Sequence, residues 1–417
     1  MVHQRVWSRG AVFACALALG CATYRPPAEY PQDFRARAET QSEGGVRVSA
    51  SLLTEDEARQ VFATSVIANE IQPIWIEIDN QDDDMYALML NSVDPEYFAP
   101  SEAAARTRGL GERRAAEKME YFLEQHVPIM LPAQSKSAGF VYANFDPGAK
   151  AFAVDLLGEQ NNHSFEFVLP VPGFRADFMT VEPESHYEGQ EIRELDLAGL
   201  RAYLESLPCC VLGGDQKTDG DPMNLVLVGT GDQVLATLAK RRWDLTETIT
   251  AGTSLRTAMS SVFGRRYRTS PVSPLYVFER PQDAALQKAR KTVDERNHLR
   301  LWLAPVTHEG APVWVGQISR DIGVKLSSKT IVTHKVDPVV DEARIYVLFD
   351  LLASGYVKRA GFVKGVGYTR PSDPRYNYTL DPYFTDGLRV VIILDEEARG
   401  LDEIDWLDWE QMPADVD

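Results

Sequence analysis

The stretch that decides the fold runs from His298 to Ile318, HLRLWLAPVTHEGAPVWVGQI. Its first part alternates. His298, Arg300 and Trp302 fall on one side of an extended chain and Leu299, Leu301 and Leu303 on the other, because successive strand side chains point to opposite faces. Val313–Ile318 reads as a second strand. Downstream, Asp337–Ser354 predicts a helix: Asp337 to cap it, Pro338 in its first turn, Ile345, Leu348, Phe349 and Leu352 as its apolar stripe, and Gly355 to end it. Upstream, Asn224–Gly229 and Leu275–Phe278 read as strands, with helices at Asp232–Trp243 and Ser254–Phe263; Leu388–Leu394 is a closing strand. Strands mixed with helices and several hairpins point to an α+β domain over 207–395 rather than a doubly wound sheet.

Working outward, the stretch 46–172 has short strands at Val46–Leu53, Gln72–Asn80, Gly139–Phe145, Ala151–Leu157 and Ser164–Pro170, with a helical pattern at Arg113–His126. Many short strands separated by turns predict a β-sandwich-like domain with a helical insertion, so the chain is α+β overall. His163 falls in an Asn-Asn-His-Ser sequence and reads as a surface histidine. Residues 173–206 are expected to be a linker carrying one helix, Asp196–Ser206.

The polar, proline-bearing stretch 22–45 reads as a flexible tether. Before it, Arg5 and Arg9 precede a short apolar run, Ala11–Leu19, too short to span a bilayer as a helix. The run ends Ala18-Leu19-Gly20-Cys21, which resembles the lipobox of bacterial lipoproteins. That resemblance implies a signal peptide over 1–21, lipid on Cys21 as the membrane anchor, and a body in the periplasm or at the cell surface. Ala22, where an Asp would imply retention at the inner membrane, favours the outer membrane. An ordinary secretory signal cut nearby is the alternative.

The formal net charge of −18 argues against nucleic acid as a partner, since phosphate binding needs a basic footprint. The segment 396–417 is strongly acidic and reads as a solvated tail. A basic cluster, Lys240, Arg241, Arg242 with Arg265, Arg266 and Arg268, could face anionic lipid headgroups or pair with the protein's own acids; the excess of acids favours pairing. Cys209 and Cys210 are adjacent, which excludes CxxC metal and redox patterns. Two buried thiols are expected there, with a vicinal disulfide as the alternative.

Pro208-Cys209-Cys210, Gly220-Asp221-Pro222-Met223-Asn224-Leu225, Ser273-Pro274-Leu275-Tyr276 with Arg280-Pro281-Gln282-Asp283, His298–Leu303, Trp314–Gly323 and Thr333-His334-Lys335-Val336-Asp337-Pro338 together resemble the LssY C-terminal domain family over about 207–395. The resemblance implies an envelope setting and assigns no reaction.

The sharpest site on chemical grounds is the polar side of the His298 strand. If His334, Arg320 and Asp321 approach His298 and Arg300, imidazoles beside guanidiniums could bind an anion such as a phosphate headgroup. The competing reading makes His298 and Arg300 the wet side of a half-buried strand. His298, His334, Asp341 and Glu342 are metal-ligand types, yet there is no HExxH spacing, so no metal or other cofactor is expected. There is no GxSxG elbow, and Gly229-Thr230-Gly231 lacks the third glycine of a dinucleotide turn. The expected function is therefore a membrane-anchored lipoprotein binding an envelope protein or lipid headgroup, without catalysis. The alternative is a hydrolase or transferase of phosphorylated envelope lipid, with His298 and His334 as acid and base.

Overall fold

The computed structural model describes residues 24–25, 27–107, 115–146, 148–172, 187, 189, 191–246, 273–289, 296–325 and 333–411. The leader with Cys21, the helix expected at 254–263, Arg265, Arg266 and Arg268, and most of the stretch 173–190 lie outside them.

The architecture is mixed α+β and mostly strand. The first half holds β1 (Glu39–Glu43), β2 (Val46–Leu52), α1 (Glu55–Phe62), β3 (Ile71–Asn80), β4 (Tyr86–Leu88), α2 (Leu90–Val93), α3 (Pro100–Arg106), α4 (Ala115–Glu124), β5 (Met130–Leu131), β6 (Ser135–Asn144), β7 (Ala149–Leu157) and β8 (Asn162–Pro170). They form two antiparallel sheets, ordered β1-β2-β3-β6 and β5-β4-β7-β8. Period-two alternation explains the core between them: Val48, Ile76 and Val141 meet Tyr86, Val154 and Phe167. The other face of the first sheet is aromatic, and Trp75, Phe140 and Tyr142 pack under Phe62 of α1 and Phe122 of α4. Thr54 opens α1 with a reciprocal capping pair to Glu57.

The stretch read as a tether is docked from Tyr24 onward. The Tyr24 hydroxyl donates to the Phe62 carbonyl at 3.0 Å, Phe34 is fully buried, and β1 pairs with β2. The two apolar rings carry this segment into the core, which polar composition alone concealed. His163 is the second residue of β8 and not the surface histidine expected: its side chain is largely buried, its ring stacks near Phe165 and its Nε2 lies 3.2 Å from the Tyr86 hydroxyl.

The second half holds β9 (Arg193–Leu195), α5 (Leu197–Ser206), β10 (Cys210–Leu212), β11 (Asp219–Pro222), β12 (Leu225–Val228), α6 (Gly231–Lys240), β13 (Asp244–Leu245), β14 (Tyr276–Val277), β15 (Arg280–Pro281), β16 (Ala284–Ala289), β17 (Arg296–His308), β18 (Ala311–Lys325), β19 (Thr333–Val336), α7 (Val340–Leu352), β20 (Val357–Lys364), β21 (Arg375–Tyr376), β22 (Pro382–Tyr383), β23 (Leu388–Leu394) and β24 (Asp405–Trp406). The main sheet runs β13-β16-β17-β18-β12-β23-β20-β24, with β9 on β17 and β19 on β18. The long β17–β18 hairpin is its centre, and the β12–β23 pair is parallel. One face buries Leu299, Leu301, Leu303 and Trp314 under α6 and α7. The other buries Trp302, Val306, Val313 and Val315 against Leu200 and Leu204 of α5 and Val211 of β10.

Gly229-Thr230-Gly231 is a strand-to-helix turn: the Thr230 side chain accepts from Gln233 N and the Gln233 side chain accepts from Thr230 N. The α7 helix differs from its expected form. It starts after Val339, with Asp337 accepting from Val339 N just outside it, and Phe349 is 53% exposed. Its inward side carries Val340, Ala343, Val347, Leu348 and Leu351, with Arg344 buried among them. Arg344 is paired bidentately with Asp386 at 2.7 and 2.6 Å, so a charged residue occupies a core-facing position. Asp350, also buried, accepts from Trp243 Nε1 at 2.8 Å and pairs with Arg241 and Lys288. Lys240 pairs with Glu166, so Lys240 and Arg241 of the basic cluster are met by acids of the protein itself.

The acidic end is packed as far as Glu410. Leu407 and Trp409 lie against the α5-side core, Glu410 pairs with Arg201 at 2.8 Å, and a Cβ on Gly361 would stand 2.6 Å from Leu407 Cβ. No helix among the described residues is long and apolar enough to cross a membrane.

Arg389 ties these parts together. Its buried guanidinium donates to the carbonyls of Leu204, Leu207, Pro208, Met223 and Gly365. Burial pulls its pKa down to about 10, which leaves it charged at neutral pH. Arg389→Met should strand several buried carbonyls and cost about 3–5 kcal/mol, read as a lower urea midpoint. An unchanged midpoint would refute the anchoring role.

Candidate functional site

Strand alternation places Arg296, His298, Arg300 and Trp302 of β17 on the α5 side of the sheet. Register then brings neighbours onto the same side. His298 stands opposite Gln287 of β16 and Ser319 of β18, and Arg300 stands opposite Gln317. Asp321, two residues beyond Ser319, follows on that face. The result is a polar patch beside the apolar one around Trp302.

Its contacts are specific. His298 Nε2 lies 2.7 Å from Asp321 Oδ2. Arg300 Nη1 donates to Gln317 Oε1 at 3.0 Å, and Gln317 Nε2 donates to Asp221 Oδ2 at 3.4 Å. Asn377 Nδ2 donates to the other Asp221 oxygen at 2.7 Å. Asn377 is fixed in turn by accepting from the backbone nitrogens of Thr379 and Asp381. Gly213, just past β10, admits this loop, because a Cβ there would collide with the Tyr378 ring. Nearby, Cys210 Sγ and the Tyr383 hydroxyl are 3.4 Å apart, and Cys209 and Cys210 form a disulfide. The expectation of two free thiols is thereby corrected: adjacent cysteines need no long-range approach to pair, which spacing alone could not decide.

The electrostatics follow from burial. Burial raises the Asp221 pKa, against the Asn377 hydrogen bond and the Arg300 charge, which lower it. Burial lowers the Arg300 pKa, while Asp221 and Asp321 act to raise it. The Arg300 hydrogen bond named above goes to a neutral amide. Its buried Nε has no hydrogen-bond partner among the described residues, and neither does the buried Nε1 of Trp302. The reading of His298 and Arg300 as the wet side of a strand does not hold: His298 is 8% exposed and both faces of β17 are covered.

Of the residues singled out from sequence, His298, Arg300 and Asp321 come together here. Arg320 does not. It pairs across the strands with Asn297, on the opposite side of the sheet, and donates to Glu342 of α7 at 2.9 Å. The period-two rule that unites His298 with Arg300 must separate Arg320 from Asp321. On β19 the His334 backbone pairs with Val324 of β18, beyond a register shift, and the His334 side chain lies outside the described residues. Sequence reasoning missed Gln317, Asp221, Asn377 and Tyr383. Extending the alternation into the Trp314–Gly323 block would have found Gln317; nothing local marks Asn377 or Tyr383.

Away from this patch, a concavity of about 470 Å³ lies where α6 meets β7 and β8, and is lined by Lys150, Phe152, Glu166, Lys240, Arg241 and Trp243 among others. Lys150 is held there by Asp94 and Asp146 at 2.9 and 2.6 Å, so its charges are largely met internally.

No curated protein matches the chain. Residues 202–388, from within α5 to the first residue of β23, match the family described as LssY C-terminus. That span contains Asp221, His298, Arg300, Gln317, Asp321, Asn377 and Tyr383, and with them the whole polar patch. The chain therefore carries an LssY C-terminal domain, built on the β17–β18 hairpin.

Proposed function

We propose that the chain is an envelope lipoprotein, held to a membrane by lipid on Cys21, whose LssY C-terminal domain binds an oxyanion-bearing envelope ligand without transforming it. One observation carries the binding half: Arg300 Nε and Trp302 Nε1 are buried donors on one sheet face with no acceptor among the described residues. Each such donor costs about 1–3 kcal/mol, and a phosphate or carboxylate oxygen would relieve that cost. The guanidinium adds a fixed charge and a planar fork suited to an oxyanion. The Cys209–Cys210 disulfide supports the envelope half, since disulfides persist in oxidising compartments.

The ligand is distinguished by two probes, inorganic phosphate and vesicles of phosphatidylglycerol. Binding of both points to the phosphate group itself; binding of vesicles alone points to the lipid headgroup. Arg300→Met should weaken either by about tenfold, the loss of one charge-assisted hydrogen bond. Equal binding by parent and variant would sink the proposal.

The pH dependence has a definite sign. Protonating Asp221 removes a negative charge beside Arg300, and the Asp221 pKa lies above the ordinary carboxylate range. Anion binding should therefore strengthen as pH falls through that raised value, and Asp221→Asn should flatten the profile. A profile that keeps its slope in Asp221→Asn would assign the titration elsewhere.

A second reading, a hydrolase or transferase of phosphorylated envelope lipid, is favoured by the carboxylate at 2.7 Å from His298 Nε2, which would orient the imidazole for acid–base work with His334. Turnover of such a lipid that disappears in His298→Ala would replace the binding reading.

For the anchor, Cys21→Ala should move the protein from the membrane to the soluble fraction, or leave the leader uncut. A variant that fractionates and migrates like the parent would remove the lipoprotein assignment.

A further inference from the structure

The Cys209–Cys210 pair is not used by the polar patch, yet it stands at its border. It lies where α5 ends and β10 begins, a segment fixed by the Arg389 guanidinium through the Leu207 and Pro208 carbonyls. β10 pairs antiparallel with β11, Leu212 opposite Asp219 and Cys210 opposite Pro222, with a register shift between them. Across this pair the Asp219 carboxylate lies close to both sulfurs. One oxygen of Asp219 and the two Sγ atoms all lie within 4.8 Å of one another. Cys210 is buried against Tyr383, Cys209 is half-buried and Asp219 is exposed. The cluster thus has one wall in the protein and one open to solvent.

We infer that Cys209, Cys210 and Asp219 form a redox-gated site for a thiophilic d10 cation, shut as the disulfide and open as the dithiol. Disulfide sulfurs are poor metal ligands, whereas thiolates are strong ones for Zn2+ and its soft relatives. Two thiolates and a carboxylate supply three ligands, and the solvent side leaves a fourth position for water, an arrangement that tetrahedral cations accept. Opening requires a dithiol reductant. One of its thiolates attacks a sulfur of the pair, forming a mixed disulfide and releasing the other cysteine as a thiolate. The second reductant thiol then displaces the remaining cysteine. Two electrons pass to the protein, the reductant leaves as its own disulfide, and the cysteines end as two thiols. Cation binding then releases both thiol protons to solvent.

The test uses the full chain carrying Cys15→Ser and Cys21→Ser, so that Cys209 and Cys210 hold the only remaining thiols. The oxidised chain, and the chain reduced with a dithiol that is then removed without air, are titrated with Cd2+. Bound metal and the sulfur-to-cadmium charge-transfer band are read. The reduced chain should bind one more Cd2+ per chain than the oxidised chain, with the band present only in the reduced form. Cys209→Ser, at a half-buried position, should abolish both gains. Asp219→Asn, at an exposed position, should weaken binding by about tenfold while alkylation still counts both thiols. Equal metal content in the two redox forms, or a gain that survives Cys209→Ser, would overturn the inference. So would an Asp219→Asn variant that binds like its parent.

Discussion

A single buried guanidinium holds the second half of the chain in register with itself. Arg389 projects from the interior strand β23 and gathers carbonyls from the end of α5, the approach to the disulfide, the link from β11 to β12 and the turn after β20. The last carbonyls of a helix carry partial negative charge and lack intrahelical donors, so a cation at the end of α5 answers both needs at once. The geometry also fixes a neighbour. Gly365 sits at φ +146, and a Cβ there would collide with the Arg389 guanidinium. Neither a larger residue at 365 nor a shorter side chain at 389 is compatible with this packing.

That clamp explains why a polar patch can exist under a covered sheet. Burying carboxylates and guanidiniums costs several kcal/mol per ion unless partners are fixed in advance. Here the partners come from rigid pieces: Gln317 from the hairpin, Asp221 from β11, two residues before the Met223 carbonyl that Arg389 holds, and Asn377 from a loop locked by its own backbone bonds. The Asp321 carboxylate at His298 is likewise set by strand register and not by a mobile loop. Arg344 with Asp386, and Asp350 with Trp243 and Lys288, repeat the device on the other face. Ion pairs here do structural work at the sheet's margins, while Leu, Val and Trp fill its middle.

Much of this was legible in the residues. The alternation in His298–Leu303 located the central strand and the polar side, and β12, α5, α6 and β23 fall where periodicity put them. The reading failed where tertiary context overrode local pattern. No strand was expected at β16, AALQKA, whose residues favour helix in isolation, yet it is paired along β17. The α7 stripe was misjudged because Arg344 faces inward with a partner far away in sequence, while the apolar Phe349 faces out. The docked segments at both ends were taken for solvated chain because their composition is polar; only a few rings, Tyr24, Phe34 and Trp409, reveal the packing. The site was half legible for the same reason: partners on the same hairpin obey a period, whereas Asp221, Asn377 and Tyr383 arrive by topology.

The packed acidic end has one more consequence. A sheet that stops at a long strand such as β20 presents a row of unpaired backbone donors and acceptors, an invitation to another chain. In this protein β24 and the bridge between Phe362 and Glu410 occupy that row, and Glu410 also grips Arg201 and Lys364. The occupant is short, irregular and flanked by carboxylates, so it closes the row without offering a new one. The acidic residues that composition marks as mere solubilising charge thus act as a guard against strand-to-strand aggregation.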